Sequence, residues 1–427
     1  MRAPKARPIS AALLLSVIVA ACGSTPSSPS ASVPGAPPTT ASPATESPAP
    51  GTSPNPSRPI EAGTRCGATS AFSGSSSSAT SPAPAGGQPP TWSVRAASAA
   101  LASVAVSPDG ELLAIAGPPD GSKVAQLMAA DGSKAASLAQ GDSVITCLAW
   151  SPDSSLLAGA SQSGDIGIWD RQAQLVRTVQ GTDPIFSLAW SPDGSALAVG
   201  AVHFPAPTAS VNVPIPGVIR VWNREGHLIR TLGTQLTGGK FLNLAWSPDG
   251  SMLAAGAVDY AVWRTDGIQV GVPRTAGTPA WAMAWSPDGR ALAIGDENGS
   301  LLIAGPDGAE KSLGSVAGGV DALSYSPDGA SLAVGHGSAV SVVDAADGKT
   351  VRWSASANAA YSIWSTDGRN LLISANHGLV VLDASTGKAS RTLIGCSGRI
   401  SAFSWDGSVA IAVTDSGWLC SWRSPGS

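Results

Sequence analysis

A tetrapeptide, Ser-Pro-Asp-Gly or a near variant, recurs along the chain with its first residue at Ser107, Ser151, Ser191, Ser247, Ser286, Ser326, Ser365 and Ser404. The intervals are 44, 40, 56, 39, 40, 39 and 39 residues. A repeat of this length is one supersecondary unit, too small to bury its own apolar faces, so successive copies must stack. In each copy an apolar run enters the turn, as at residues 145–150, 186–190 and 281–285, and a second leaves it, as at 197–200 and 332–335. A third follows a Gly-containing turn, as in Asp165-Ile166-Gly167-Ile168-Trp169-Asp170, and a fourth closes the unit, as at 175–179 and 228–232. All four runs are short and bounded by Asp, Gly, Ser and Pro, the signature of antiparallel strands joined by hairpins.

The first two runs are apolar at consecutive positions instead of alternating, which requires cover on both faces of the sheet. Neighbouring sheets in a ring supply it, and a four-stranded repeat of about 40 residues is the unit of a β-propeller. The expected fold is all-β, an eight-bladed propeller over residues 91–427. Trp150, Trp190, Trp246, Trp285 and Trp364 each directly precede the repeated turn. One large ring per repeat reads as packing between blades and not as a ligand site. The combination of Ala-Trp-Ser-Pro-Asp-Gly, Leu-Ala-x-Gly and Ile166-Gly167-Ile168-Trp169-Asp170 resembles the WD-repeat β-propeller family. Only Trp169-Asp170 spells the family's signature pair, with Trp222-Asn223, Trp263-Arg264 and Trp422-Arg423 as variants. Gly141-Asp142 and Gly395-Cys396 stand where that family has Gly-His. The resemblance therefore does not carry over the family's buried His, Ser, Asp and Trp network.

After Ser404 there are runs for only two more strands, residues 409–413 and 418–422, so the eighth blade lacks its fourth. Counting back from the first motif by the offset of the third repeat lands on residues 92–95, which have no other blade to join. They are expected to complete the eighth blade beside the C-terminal strand, the overlap by which a propeller closes its edges.

Upstream, Arg2, Lys5 and Arg7 precede an apolar run at residues 9–21. It is too short to cross a hydrocarbon core of about 30 Å as a helix, and residues 1–21 have the form of a signal peptide. The run ends in Val19-Ala20-Ala21-Cys22-Gly23, which resembles the lipobox of bacterial lipoproteins. That resemblance implies a lipid on Cys22, with two or three acyl chains giving stable membrane attachment. The expected location is the outer face of the bacterial cytoplasmic membrane, or the periplasm or cell surface. Residues 23–91 hold 15 of the 34 prolines and only four charges. So little apolar side chain cannot offset an ordering cost of about 1–2 kcal/mol per residue, and residues 22–90 are expected to be a disordered tether.

A formal charge of -4 and four His argue against a basic nucleic-acid binder and a His-rich metal protein. Asp109, Asp153, Asp193, Asp249, Asp288, Asp328, Asp367 and Asp406 fall on separate hairpins, where Asp suits the turn and cannot share an ion. His336 and His377 fall in equivalent turns of adjacent repeats. Zinc needs three or four convergent ligands, so both read as turn residues and no cofactor is expected. The long third interval contains a Pro-rich loop with His203, Phe204, Val211, Val213 and Ile215. Long loops in compact domains tend to be functional, and the WD-repeat resemblance places this one on a face where partners dock. Cys396 precedes the first strand of the last blade and Cys420 lies on its third, so the two can pair. Cys147 reads as a buried thiol and Cys66 falls in the tether.

These features point to a monomeric, membrane-anchored, non-catalytic scaffold that binds a protein or peptide, a reading that rests on fold analogy. Two other classes remain open at this stage. A propeller enzyme of quinoprotein dehydrogenase or lactonase type requires a polar, acid-rich pocket at the channel mouth, and a carbohydrate or small-solute binder requires clustered exposed aromatics.

Overall fold

The computed structural model describes residues 64–65 and 87–423, apart from 96–102, 118–124, 134, 139–143, 162, 182, 203–215, 238–242, 257–259, 271–279, 349–350, 357–361, 376–377, 406–408 and 415. The expected signal peptide, Cys22, and His203, Phe204, Val211, Val213 and Ile215 lie outside the described residues. Every described element is a strand. The strands form eight sheets, seven of four strands and one of five, each antiparallel and each built from consecutive segments save at the closure and at the fifth strand.

The repeated turn explains why each copy folds alike. With the blades numbered 1 to 8 in the order of their repeated turns, from Ser107 to Ser404, in blade 6 the Ser326 hydroxyl donates to Asp328 Oδ1 at 2.5 Å, and the Ala330 N–H donates to the same oxygen at 3.0 Å. Ser331 N–H donates back to Ser326 Oγ at 2.9 Å. The carboxylate thus replaces backbone partners that the tight reversal removes, an Asx-type turn. Gly329 sits at φ 71, a left-handed conformation that favours glycine. Blade 2 departs: Ser154 holds that position at φ 59, and its hydroxyl accepts from the Asp109 N–H of blade 1.

Blades pack through their tryptophans. The indoles of Trp150, Trp190, Trp246, Trp285 and Trp364 donate to Ala105, Ala149, Ala189, Ala245 and Ser324 oxygens at 3.0–3.1 Å. Each bond runs from the innermost strand of one blade to that of the preceding blade. The expected packing role is therefore correct, with a hydrogen bond that the sequence reading did not include. Tyr325 holds the equivalent place in blade 6, but its buried hydroxyl has no partner. Burial, reinforced by the Asp288 charge, pushes that phenol well above its ordinary pKa. The apolar core is likewise divided among blade interfaces, as where Ile219 and Leu232 of blade 3 cluster with Trp246 and Leu253 of blade 4.

The ring closes as expected. Trp92–Arg95 pairs antiparallel with Trp418–Arg423, in the sheet of Val409–Thr414 and Ile400–Trp405. Val94 and Leu419 then pack with Leu113 and Ile115 of blade 1, and Trp92 Nε1 donates to Ala130 O of that blade at 3.2 Å.

In the last blade Trp405 pairs with Ala410, whereas Trp190 pairs with Leu197 in blade 3. The final turn is two residues shorter, so Trp405, and not the residue before Ser404, ends the innermost strand. The stretch assigned to a disordered tether contains ordered pieces: Thr64–Arg65 forms a strand, and Gln88 bridges to Leu393 of blade 7. Cys147 is not a free thiol but disulfide-bonded.

Candidate partner-binding surface

The outermost strand of a blade has one free edge, so its side chains meet solvent unless something covers them. In blades 2, 3 and 4 the residues at the start of that strand are aliphatic. Leu175 is 46% exposed, Val176 49%, Leu228 47%, Ile229 50% and Ile268 56%. The three blades are ring neighbours and each position follows the turn between third and fourth strands, so the five residues fall in a band along one rim; Val351, 55% exposed, holds the equivalent position in blade 6. Arginine stems join the blades beneath it: Arg177 lies over Gly226 of blade 3, and Arg230 over Gly267 of blade 4. Between blades 3 and 4 an open cleft of ≈ 310 Å³ is lined by Ile229, Arg230, Leu232, Trp246, Arg264 and Asp193, among others.

The same rim carries a run of ion pairs between blades. Arg171 of blade 2 binds Asp109 at 2.5 Å and Glu111 at 2.6 Å in blade 1. Arg224 of blade 3 binds Asp153 at 2.8 Å in blade 2. For Asp153, partial burial pulls the pKa upward, but bonds from Ser151, Arg224 and Ser155 outweigh it and hold the carboxyl far below the ordinary range. The acids here serve neighbouring blades and turns. Among the described residues no group of three or more His, Cys, Asp and Glu is placed to hold a metal.

The sequence-selected residues are dispersed. His336 ends a strand of blade 6, where its ring nitrogens bond Ala317 O at 3.0 Å and Ser341 Oγ at 2.9 Å. It ties a loop to its own sheet and is not a bare turn residue. His377 lies outside the described residues. Cys396 and Cys420 are bonded, with Cα atoms 5.9 Å apart. Trp281 is 37% exposed on the innermost strand of blade 5, well apart from the rim. Trp169 and Trp222, at the third-strand position of the signature pair, keep buried Nε1 groups without partners. Trp422, in the variant pair of the last blade, instead donates from Nε1 to Ile394 O at 3.2 Å.

The apolar band was missed from sequence. Its signal was present in Leu175-Val176 and Leu228-Ile229, consecutive apolar pairs at the start of fourth strands, but those pairs read equally well as buried.

Comparison with known proteins agrees with this architecture. The family model "WD domain, G-beta repeat" matches residues 132–170 and 173–203, which cover the last strand of blade 1, blade 2 and the first two strands of blade 3. No curated protein sequence matches the chain. Among solved structures, Sqt1 of Chaetomium thermophilum, bound to the N-terminus of the ribosomal protein L10, is 16% identical with a TM-score of 0.66 over 78% of this chain and 99% of that one. Sqt1 of Saccharomyces cerevisiae gives 14% identity and 0.64 over 80% and 100%. The computationally designed protein Ika8 gives 17% and 0.62 over 79% and 99%. At these identities the likeness concerns the fold. The chain is an eight-bladed β-propeller in which residues 132–170 and 173–203 match the WD-repeat model.

Proposed function

We propose that this propeller is a non-catalytic docking platform for a protein or peptide, held outside the cytoplasm by a lipid on Cys22. The observation that carries the docking reading is the band of Leu175, Val176, Leu228, Ile229 and Ile268 on three neighbouring outer strands. Apolar area left in water costs about 25 cal/mol per Å² relative to burial, and exposed aliphatic side chains repeated on three neighbouring blades suit an interaction site. The guanidinium groups beside the band suit a partner that brings aliphatic and acidic side chains together. The location outside the cytoplasm draws support from the Cys396–Cys420 disulfide, since such bonds persist in oxidising compartments.

Crosslinking the intact protein on cells should enrich a protein partner over a control carrying only residues 1–90. The double variant Leu228→Asp, Ile229→Asp should lose that enrichment while melting at the wild-type temperature, because both side chains are already half in solvent. Undiminished capture by the variant would remove the band from the mechanism.

A further inference from the structure

The innermost strand of each blade has a free edge facing the ring axis, and in blade 3 that edge is taken. Thr64 pairs with Leu188 and Arg65 with Ser187, antiparallel, as a fifth strand. The same two residues contact the innermost strands of blades 2 and 4, Ile145–Trp150 and Asn243–Trp246. Cys147 stands within the blade 2 strand, fully buried, in one cluster with Ile185 and Leu188 of blade 3. It is disulfide-bonded. The chain has five cysteines, and Cys396 is joined to Cys420, which leaves Cys22 and Cys66. Cys66 directly follows Arg65 in the sequence, one Cα step of about 3.8 Å from a strand that contacts Ile145–Trp150. A disulfide needs Cα atoms within about 4.4–6.8 Å, a distance that this placement brings into reach.

We infer that Cys66 is the partner of Cys147, and that the bond holds Thr64–Arg65 on the inner edge of blade 3, so that the occupant of that edge is this chain itself. Strand addition of this kind is how sheet edges take up extended peptides. The covalent bond makes the addition intramolecular and excludes a competitor from that edge. Its formation removes two protons and two electrons from the Cys66 and Cys147 thiols by thiol–disulfide exchange. They pass to an external disulfide, that of an oxidised thiol oxidoreductase or of oxidised glutathione in vitro, whose own S–S bond breaks to two thiols. The apolar rim is not involved, so this assignment stands or falls independently of the docking reading.

Arg65 is the only Lys or Arg between Arg58 and Arg95, and Pro59 blocks tryptic cleavage at Arg58. Digestion of the denatured, non-reduced wild-type protein with trypsin should therefore give a species joining peptide 66–95 to peptide 135–171, resolved into two by reduction. Peptide 135–171 recovered with a free thiol, or joined to a peptide containing Cys22, would overturn the pairing. For the strand itself, native trypsin should cut after Arg65 at least about tenfold faster in Cys66→Ser than in oxidised wild type, since a paired strand must open before cleavage. Cys66→Ser leaves the buried Cys147 in place, which preserves the core. Equal cleavage rates in the two proteins would refute the pinned strand.

Discussion

Trp190 carries two contributions that can be separated. Its ring fills the gap between blades 2 and 3, and its Nε1 donates to Ala149 O at 3.1 Å. Trp190→Phe keeps an aromatic ring but leaves a buried carbonyl without its partner, at a cost of about 1–3 kcal/mol. Trp169→Phe removes a similar volume from a fully buried ring whose Nε1 has no partner. Denaturant midpoints at unchanged m should therefore fall further for Trp190→Phe, and the reverse order would show that the bond between blades adds nothing. The turn acids make a second case. In Asp288, Asp328 and Asp367 the bond from the preceding serine, with a backbone N–H, holds the carboxyl below its ordinary value. A pKa lowered by folding contributes stability that is fully present above the unfolded value of about 4 and is lost as pH falls from there through the lower folded value. Unfolding midpoints should be flat from pH 7 to 5 and drop below about pH 4. Asp328→Asn should be less stable than wild type at pH 7, with the gap narrowing as pH falls below about 4; a gap independent of pH would mean that the charge contributes nothing. The serine and aspartate of this turn were legible as a repeat, whereas the hydrogen-bond partners of the indoles lie one blade away and no spacing encodes them.

At the scale of one element, the last blade shows where local signals fail. Its turn is two residues short, and aligning Ser404 with the other serines shifts the strand by two positions relative to its true register. The pairing of Trp405 with Ala410 sets the register; a shift of two residues keeps each side chain on its own face of the sheet, so the apolar pattern reads the same in either alignment. The Cys396–Cys420 bond closes a separation of 24 residues in that same blade. Removing it by Cys396→Ser, Cys420→Ser should cost roughly 2–4 kcal/mol, the loop-closure entropy returned to the unfolded chain. A double variant with wild-type thermal stability would show that pairing of the two strands already restrains the loop. That pair was within reach of sequence reasoning because both cysteines belong to one repeat. The bonded state of Cys147 was not, because its environment is made by two blades and by a segment that composition assigned to a tether.

Across the whole molecule, stability depends on closure, since each blade is covered only by its neighbours. Trp92–Arg95 supplies the last strand of the eighth sheet and Trp92 and Val94 seal it against blade 1. Deleting residues 91–97 exposes an edge and two interfaces at once, and the melting temperature of the whole propeller should fall in a single transition. An unchanged transition would refute closure by this strand. The forty-residue period, the turn chemistry and the need for an N-terminal strand to complete the final blade are all consequences of local pattern, and the sequence alone determined them. Which aliphatic side chains stay uncovered on the rim, and that Thr64–Arg65 occupies an inner edge, were decided only by tertiary structure. The reason is physical: a strand's periodicity states which faces are apolar, but whether a neighbour, a distant segment or water meets them depends on the arrangement of the whole ring.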